Sequence, residues 1–487
     1  MNIVGCKWVF RTKYNPNGTL LKHKARLVAK GFHQTPGLDF EETFSPIMKA
    51  ATIRVLFSIV VQQGWDIKQV DINNAFLNGD LNEVVYMRQP ESFENTAQPS
   101  HVCRLHKALY RLKQAPRSWF HKLQAALLSW GFVNSASDVS LFIHREGAKV
   151  IFLLVYVDNI LLTGTDSYQI QQLISKLNAT FALKNLGSVS YFLGFETHRD
   201  VSGLFLTQTK YICDLLQKTN MLDCKPYDTP LSARTKLTLT AGAAFSDPTM
   251  YRSVIGALQY LSHTRPDISF VVNKLSQYLV SPTQVHWLAC KRVLRYLKGS
   301  ITRGLWFKKC AAALNIEAYT DADWESCFDD RRSTSGNCLF LGGNLICWSS
   351  KKQHVVARSS TEAEYRSMSQ VITDIIWLKS LLAELGFSSP SPAVVWCNNM
   401  GANALALNPV YHSRTKHVEI DVHFIRENVA SKEIEPRYVP TEFQIADILT
   451  KGLTTIRFQL LCTKLNLVDS PSLSLKGDVK VCDHEDH

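Results

Sequence analysis

The chain has 487 residues, of which 46% are hydrophobic and 20% charged, so wholesale disorder, collagen-like repetition and a coiled coil are excluded. Its length predicts about three domains. The 54 Lys and Arg residues outnumber the 42 Asp and Glu residues and leave a formal charge of +12. Such a surplus favours a polyanionic partner, most simply nucleic acid, with a merely basic protein as the alternative.

The elements at the front of the chain alternate between two kinds of pattern. Strand-like stretches at 7–13 and 64–72 lie among helical ones at 119–130 and 166–177, which predicts an α+β fold. Residues 225–248 are rich in Pro, Thr, Ala and Ser and are typical of a connector. A helical, basic section follows from Tyr251 to about Gly299.

A second pattern begins at residue 315. It predicts a strand, a hairpin at Gly-Gly-Asn 342–344, a long helix, and then strand, helix, strand and helix, which together form an α/β unit ending near Leu453. The long helix should begin near Ser359 or Ser360 and end at Leu385, with Gly386 as its C-cap. The last residues of the chain are polar, and we expect them to be frayed.

Cysteine usage and hydropathy indicate where the protein works. The 12 cysteines include no CxxC pair, so neither a zinc ribbon nor a small disulfide scaffold fits. We therefore expect an intracellular protein, cytoplasmic or nuclear. The longest apolar run, 150–157, is far short of the roughly 18 residues that span a bilayer, and the N-terminus has no secretory h-region. We expect no membrane partner.

Basic residues are clustered, as phosphate contacts require. Residues 1–60 contain nine Lys or Arg and three acidic residues. Two further stretches contain basic residues and no acidic ones. They are Arg104, Lys107, Arg111, Lys113, Arg117 and Lys122, and then Lys291, Arg292, Arg295, Lys298, Arg303, Lys308 and Lys309.

Two aspartates mark strand ends in the first half of the chain. VIFLLVYVDNILLTG predicts two apolar strands joined by an Asp158-Asn159 turn, and GWDIKQVDINNAFLNGDL predicts a strand that ends at Asp71. Side by side, Asp71 and Asp158 would suit Mg²⁺, which prefers oxygen ligands. A plain turn is the alternative interpretation.

Residues 1–310 resemble the reverse transcriptase of copia-type LTR retrotransposons. The matching motifs, in the family's order, are KARLVAKGF, ETFSP, VDINNAFLNGDL, YMRQP, LKQAPRSW, YVDN, YFLGFE, TRPDI and HWLACKRVLRYLKGS. The resemblance implies RNA-directed DNA synthesis with Mg²⁺, or possible Mn²⁺, and no organic cofactor. The implied partners are an RNA template, a DNA primer, an RNA–DNA hybrid and dNTPs.

The resemblance also assigns the polymerase metal ligands. Asp71 and Asp158 match two of them, but the family's YVDD reads YVDN here, so Asn159 replaces the third carboxylate with a neutral amide. We expect weak or absent polymerase activity as a result.

Further polymerase parts follow from the same resemblance. Lys24, Arg26 and Lys30 fall in the fingers and would meet the triphosphate, with a solvated basic strand as the alternative. Gln114 and Pro116, with Arg117 beside them, match the segment under the template. Arg111 stands where the family usually has Gly. Phe192, Leu193 and Gly194 match the primer-gripping hairpin, although this triplet alone is more typical of a core.

The helix HWLACKRVLRYLKG is expected to hold a duplex backbone. Its cations should reach solvent while an apolar stripe packs inward. The cations are Lys291, Arg292, Arg295 and Lys298, and the stripe is Leu288, Val293, Leu294 and Leu297. An ordinary surface helix is the alternative.

A second acidic set lies in the last third of the chain. NIEAYTDADW predicts a strand with Asp321 at its end, and both Ser359–Glu362 and Thr361–Glu364 have capping-box spacing. Residues 315–455 resemble the RNase H domain of the same retrotransposons in YTDADW, DDRRSTSG, WSSKKQ, SSTEAEYR, RTKHVEIDVHFIRE and QIADILTKG. The resemblance makes Asp321, Glu364 and Asp447 catalytic metal ligands and leaves Glu362 as the cap.

The fourth RNase H ligand of the family is missing. The family motif CDN reads Cys397-Asn398-Asn399, so Asn398 replaces an aspartate, and we expect weaker metal binding. A zinc site at His412, His417 and His423 is disfavoured because the spacing is not a recognised one and no Cys accompanies it. Arg414, Lys416 and His417 are expected beside nucleic acid instead.

The resemblance implies a right-hand polymerase followed by an α/β RNase H-like domain. We divide the chain into fingers and palm at 1–225, thumb and connection at 226–310, the RNase H-like domain at 311–455, and a flexible tail at 456–487. Because both lost aspartates became Asn, each by one possible G-to-A change, we hypothesise a decaying genomic copy. The alternatives are a relic that only binds nucleic acid, and a structural protein whose binding would be indifferent to salt.

Overall fold

The computed structural model describes residues 2–14, 19–310, 314–389, 391–408 and 419–470. Its internal contacts divide the chain into two compact units. The first unit contains the described residues up to Lys49 and Trp65–Val189, and the second contains Ala50–Gly64 and the described residues from Ser190 onward. Helices and strands are mixed in both units, which confirms the predicted α+β class.

The strands, in chain order, are β1 (Ile3–Val4), β2 (Cys6–Tyr14), β3 (Leu20–Ala29), β4 (Ile67–Ile72), β5 (Asp80–Arg88), β6 (Val102–Lys107), β7 (Val133–Asn134), β8 (Leu141–Glu146), β9 (Lys149–Tyr156), β10 (Asn159–Gly164), β11 (Leu183–Ser188), β12 (Tyr191–Phe192), β13 (Phe195–Arg199), β14 (Gly203–Thr207), β15 (Arg303–Lys308), β16 (Ile316–Asp323), β17 (Thr334–Leu341), β18 (Asn344–Lys352), β19 (Ala393–Cys397), β20 (Ile434–Tyr438) and β21 (Leu467–Asp469). The α-helices are α1 (Ala50–Gln63), α2 (Ala115–Ser129), α3 (Ser167–Phe181), α4 (Thr209–Lys218), α5 (Pro248–Leu261), α6 (Ser269–Ser276), α7 (Gln284–Lys298), α8 (Ser360–Leu385), α9 (Met400–Leu407), α10 (Glu419–Ala430) and α11 (Thr455–Lys464).

The main sheet of the first unit has the strand order β11-β4-β10-β9-β8-β7. Its apolar residues pack against α2 and α3, and the resulting core includes Trp119, Leu123, Leu153, Ile160 and Leu177. Burial of these side chains is the main force that holds the sheet and helices together. A three-stranded sheet, β1-β5-β6, and the β2-β3 hairpin complete this unit.

The turn between β9 and β10 differs from the predicted one. Asn159 already pairs with Tyr156, so the turn residues are Val157 and Asp158, one position earlier than expected. Val157 has a φ of 56°, a left-handed conformation that is strained for a β-branched residue. The indole of Trp119 donates to the Val157 carbonyl at 2.7 Å and stabilises this turn.

The second unit contains an antiparallel sheet with the order β12-β13-β14-β15-β21. Because β14 pairs with β15, the boundary expected at residue 225 does not coincide with a boundary between the two units. The prediction of a flexible tail from residue 456 is wrong as far as residue 470, because α11 buries Phe458 and Leu461 and β21 pairs with β15. Residues 471–487 lie outside the described part of the chain.

The other sheet of the second unit has the order β18-β17-β16-β19-β20. Its first three strands are antiparallel, and β16, β19 and β20 are parallel. The predicted hairpin is confirmed, with Gly342 and Gly343 both at positive φ. The predicted long helix is α8, which is capped by Ser359 and ends at Gly386, whose φ of 78° favours glycine.

The connector at 225–248 has no helix or strand before α5 begins at Pro248, as predicted. It is nevertheless held in place, since Arg295 donates to the Lys225 carbonyl at 2.6 Å and Arg292 donates to Thr229 Oγ1 at 2.9 Å. Among the helices that the structure describes, none combines the length and the hydropathy needed to cross a membrane.

Candidate active sites

The first candidate site lies at the end of the β4-β10 strand pair. Asp71 on β4 is the partner of Asn159, the first residue of β10. The Asp158 carbonyl accepts from the Ile72 amide at 2.7 Å, so the β9-β10 turn is bonded directly to the end of β4. Sheet pairing thus brings Asp71 next to Asp158 and Asn159, although the two aspartates are 87 positions apart in the sequence.

The electrostatics of this site favour a bound cation. Burial raises the pKa of Asp71, and the charge of Asp158 raises it further, while Lys184 and Lys24 act in the opposite direction. A carboxylate whose pKa is raised by burial and by a neighbouring acid is stabilised in its charged form when a cation lies beside it.

Asn159 takes part in this site through its amide. Its Nδ2 donates to Asp158 Oδ1 at 3.1 Å, and its Oδ1 accepts from Gln69 at 3.4 Å. An aspartate here would place a third negative charge beside the pair. The neutral amide instead uses one carboxylate oxygen of Asp158, which leaves that oxygen less available to a metal ion.

The predicted fingers cations lie on the β2-β3 hairpin or just after it. Burial lowers the pKa of Lys24, and its cationic neighbours lower it further, whereas the charge of Asp71 raises it. Lys24 therefore interacts electrostatically with the candidate site. Arg26 lies 5.5 Å from the ring of Tyr110. Lys30 follows β3, and its amide donates to the Gly5 carbonyl at 2.7 Å. Within the described contacts, nothing joins Lys30 to the aspartates.

Two side chains of the expected template segment are bonded to other residues of the protein. Gln114 is 1% exposed, and it accepts from Gln34 and donates to the Asp39 carbonyl, both at 2.9 Å. Arg117 pairs with Glu42 at 3.1 Å. Arg111 has a φ of 69°, which explains why glycine would suit this position.

The expected primer hairpin is a tight turn. Phe192 is buried, and Leu193 and Gly194 both have positive φ. The hydroxyl of Tyr260 donates to the Leu193 carbonyl. The turn therefore has a structural support that the sequence pattern did not indicate.

Helix α7 uses its cations unequally. Arg292 and Arg295 both lie over the ring of Tyr227 and hold the connector, whereas Lys291 is exposed. Lys298 is half-buried in the last turn. Leu288 is 63% exposed, so its assignment to the buried stripe is wrong, because the helix turns its Ala289 and Cys290 side inward.

The second candidate site is formed by three buried acidic residues of the second unit. Asp321 is on β16, Glu364 is near the start of α8, and Asp447 is in the short helix Ile445–Leu449. Each is at most 5% exposed. Glu362 instead accepts from the Arg358 amide at 2.9 Å, which agrees with its expected role at the helix start.

A lysine links two of these acids. Nζ of Lys451 lies 3.3 Å from Asp321 Oδ2 and 2.9 Å from Asp447 Oδ1. Burial alone would lower the pKa of Lys451, but the two aspartates raise it above its ordinary value. Thr450 also donates to Asp321, and Arg457 lies 3.3 Å from Asp447.

Glu364 and Asn398 complete the site. Burial raises the pKa of Glu364 well above its ordinary value, and the charge of Asp321 raises it further. Asn398 follows β19, and its Oδ1 accepts from Gln444 at 3.4 Å. Gln444 also donates to the Thr320 carbonyl at 2.9 Å, and it thereby joins Asn398 to β16.

Metal binding can be judged from these contacts. Across the described ranges, no three His, Cys, Asp or Glu side chains are arranged to hold a metal ion. The acids nevertheless fit a cation, because the Lys451 ammonium stands between Asp321 and Asp447. Oδ1 of Asp447 is buried and lies 2.9 Å from that ammonium, so a metal ion that binds this oxygen would take the place of the Lys451 charge.

Several structural residues were not predicted from the sequence. Gly336 on β17 is the partner of Asp321, and an added Cβ would lie 2.5 Å from Thr450 and 2.9 Å from Leu449. Glycine therefore lets the Asp447 segment pack closely against β17, beside Asp321. A glycine in the DDRRSTSG motif was the one available signal. Of the residues predicted around the histidines, only His423 is described, and its Nε2 lies 4.0 Å from Glu419. His412, Arg414, Lys416 and His417 lie outside the described residues.

The strand pairings place one acidic site in each unit, and comparisons with known proteins show the family to which the chain belongs. A family model described as "Reverse transcriptase (RNA-dependent DNA polymerase)" matches residues 1–233. The chain is 49% identical over 471 residues to the Retrovirus-related Pol polyprotein from transposon RE2 of Arabidopsis thaliana, covering 97% of this chain and 32% of that protein. It is 33% identical over 310 residues to a transposon Ty5-1 protein of Saccharomyces cerevisiae, whose whole length it covers.

A solved structure, the foamy viral protease-reverse transcriptase in complex with RNA/DNA hybrid, is similar with a TM-score of 0.44 and 12% identity. The match covers 89% of this chain and 50% of that one. The family assignment rests on the sequence matches. The chain belongs to the family of copia-type retrotransposon Pol polyproteins, and it spans about a third of the length of the RE2 relative.

Proposed function

We propose that this chain is an RNA-directed DNA polymerase with a linked RNase H, and that Asn159 and Asn398 weaken both activities. In this proposal, residues 1–225 carry the polymerase site, 226–310 connect, and 311–455 cleave the RNA of a hybrid. The chain would act inside the cell, in the cytoplasm or nucleus, on an RNA template, a DNA primer and dNTPs.

The observation that carries the proposal is the pairing of distant carboxylates in each unit. Asp71 and Asp158 would hold Mg²⁺ or Mn²⁺ in the first, and Asp321, Glu364 and Asp447 would do so in the second. When bound, such ions activate the attacking oxygen and stabilise the leaving one. Lys24 and Arg26 would bind the phosphates of the incoming nucleotide by charge-assisted hydrogen bonds.

A second candidate function is binding without catalysis. It is favoured by the amide at each site and by Lys451, which already neutralises Asp321 and Asp447. Under this alternative, the chain would hold a hybrid and leave it unchanged. Either function predicts that nucleic-acid affinity falls steeply as salt rises, because phosphate contacts dominate.

Primer extension on an RNA template and cleavage of an RNA–DNA hybrid test the proposal. The chain, its Asn159→Asp and Asn398→Asp variants and the double variant are compared in Mg²⁺ and in Mn²⁺. Each substitution should raise its own activity roughly tenfold or more, equivalent to at least about 1.4 kcal/mol of barrier. Asn185→Asp is a matched control on β11, where Asn185 only accepts from Gly187. Binding without rescue by either variant would support the alternative.

A further inference from the structure

A cavity of about 360 Å³ lies inside the second unit, beside Lys451. One wall is the connector from Leu231 to Leu237, and another is the face of α6 that carries Lys274. The remaining wall includes Asp323, Phe328 and Gly452. We call this cavity the connector pocket. Neither candidate active site requires it.

The connector pocket is strongly basic. Four of its lining residues are cationic and one is acidic. Because Lys451 is paired with Asp321 and Asp447, the other three cations and the acid leave a formal charge of +2. The cations are Arg234, Lys236, Lys274 and Lys451, and the acid is Asp323. A cavity of this sign concentrates anions from the surrounding solvent.

Lys274 is the residue that most requires an anion. It is 7% exposed, and its ammonium donates to the Ser326 carbonyl at 3.1 Å. No carboxylate in the described part of the chain forms an ion pair with it. Burial lowers the pKa of Lys274, and Asp323 and Asp329 offset this only in part through longer-range attraction. A buried ammonium without a directly paired anion is unfavourable. An anion bound in the cavity that Lys274 lines would stabilise this ammonium most directly.

The pocket has fixed walls. The hydroxyl of Tyr278 donates to the Leu237 carbonyl at 2.9 Å, and Leu239 donates to Asp329 at 3.0 Å. Opposite, a Cβ on Gly452 would lie 3.1 Å from Cα of Ala233, so this glycine lets the connector pack closely. The cavity is therefore part of the folded structure of the connector.

We propose that the connector pocket binds a phosphate group. The phosphate could belong to a nucleic-acid backbone or be a free phosphate, and both present the same anionic oxygens to Lys274 and Arg234. Because Lys451 lines the pocket and also contacts Asp321 and Asp447, a bound backbone would lie next to the acidic site. The inference stands on cavity and charge, and it holds whether or not the chain is catalytically active.

Thermal unfolding of the full chain with inorganic phosphate, at constant ionic strength, tests the proposal. Phosphate should raise the Tm of the unsubstituted chain and of Lys464→Met, a control at an exposed lysine of α11. Lys274→Met should weaken phosphate affinity roughly tenfold or more, and it should raise the Tm without phosphate because a buried unpaired charge is removed. A merely structural lysine would give a lower Tm and an unchanged phosphate response.

A phosphate response that persists in Lys274→Met, or that is absent from the unsubstituted chain, would overturn the proposal. If Lys274→Met does not fold, Arg234→Met replaces it, because Arg234 is an exposed cation of the same pocket. Arg234→Met should also weaken phosphate affinity, and an unchanged affinity would contradict the proposal. Binding of an RNA–DNA hybrid separates the sources. A hybrid affinity that falls in Lys274→Met identifies a backbone phosphate, and a change confined to inorganic phosphate identifies free phosphate.

Discussion

Nζ of Lys451 lies 2.9 Å from Oδ1 of Asp447, on the residue four positions before it in the chain. The same ammonium lies 3.3 Å from Asp321. Lys451 thus supplies positive charge where a metal ion would be expected. Any divalent ion must either displace this ammonium or bind beside it against electrostatic repulsion.

Lys451→Met should therefore tighten metal binding. Removing the competing charge should lower the Kd for Mn²⁺ roughly tenfold, which corresponds to about 1.4 kcal/mol. The Tm without metal should fall, because Asp321 and Asp447 lose their counter-ion. Isothermal titration calorimetry measures the affinity, with Lys464→Met as the control. An unchanged Kd would show that Lys451 does not compete with the metal.

Gly336→Ala should disable the RNase H-like site. Its new Cβ would collide with Thr450 and Leu449, and so would push the Asp447 segment away from Asp321. We expect the free energy of unfolding to fall by about 1–3 kcal/mol, as for other overpacked sites. Gly256→Ala is the control, since no atom lies near its added Cβ in α5. If metal affinity and stability both stay unchanged, close packing at Gly336 is unimportant.

Asn398→Asp should strengthen metal binding where Asn399→Asp does not. Asn398 faces Gln444, and an aspartate there adds a charge beside the acidic set. Asn399 instead caps α9 by accepting from Ala402 at 2.9 Å, and aspartate caps helices equally well. Calorimetry with Mn²⁺ distinguishes the two variants. Equal effects would indicate a general charge effect rather than a ligand.

Lys291 and Arg295 on α7 should behave differently despite their similar charge. Lys291→Ala should reduce the slope of log affinity against log salt for a hybrid by about 1, as expected for one phosphate contact. Arg295→Ala should mainly lower the free energy of unfolding, by about 1–3 kcal/mol, because the Lys225 carbonyl loses its donor. Salt titrations and urea unfolding measure the two effects. A stability loss confined to Lys291→Ala would contradict this assignment.

Stability should fall in mild acid because of His286. Burial lowers its pKa, and its neutral ring accepts from the Thr283 amide at 3.0 Å. The unfolded chain takes up a proton below about pH 6.5 while the folded chain does not, so the free energy of unfolding decreases as pH falls through that value. The pKa of His263 is also lowered, by desolvation and by the charge of Arg54, and it acts in the same direction.

His286→Gln should reduce this pH dependence, because glutamine keeps the capping interaction and does not titrate in this range. Urea unfolding at about pH 7.5 and about pH 5.5 measures the difference, which is at most about 1.4 kcal/mol per pH unit for one proton. Exposed His423→Gln is the control. An unaltered slope in His286→Gln would show that other groups are responsible.

Local patterns predicted the parts of the fold that depend on neighbouring residues. The Gly342-Gly343 turn and the α8 cap at Gly386 follow from backbone preferences. Asp71 lies one residue before the end of β4 and Asp158 lies in the turn after β9, close to where the apolar runs stop. Arg111 stands where the family usually has glycine, and its positive φ explains why glycine would suit this position.

What the patterns missed depends on partners far away in sequence. The sequence pattern predicts that Arg292 and Arg295 are solvent-exposed, because their partner Tyr227 lies more than sixty positions earlier and is not part of the local pattern. Lys451 could not be placed between Asp321 and Asp447 without the sheet. Asn159 pairs both with Tyr156 across the β9-β10 turn and with the distant Asp71, and the second pairing is not a local feature of the sequence.

The pairing of β21 with β15 has a consequence for how this sequence can be shortened. A stop codon just after residue 455 would keep every acidic residue of both sites, yet it would remove α11 and the last strand of the β12-β13-β14-β15-β21 sheet. The freed edge of β15 would be open to pairing with other chains, as unprotected sheet edges are. We therefore expect a truncated product to aggregate through this edge more readily than the full chain.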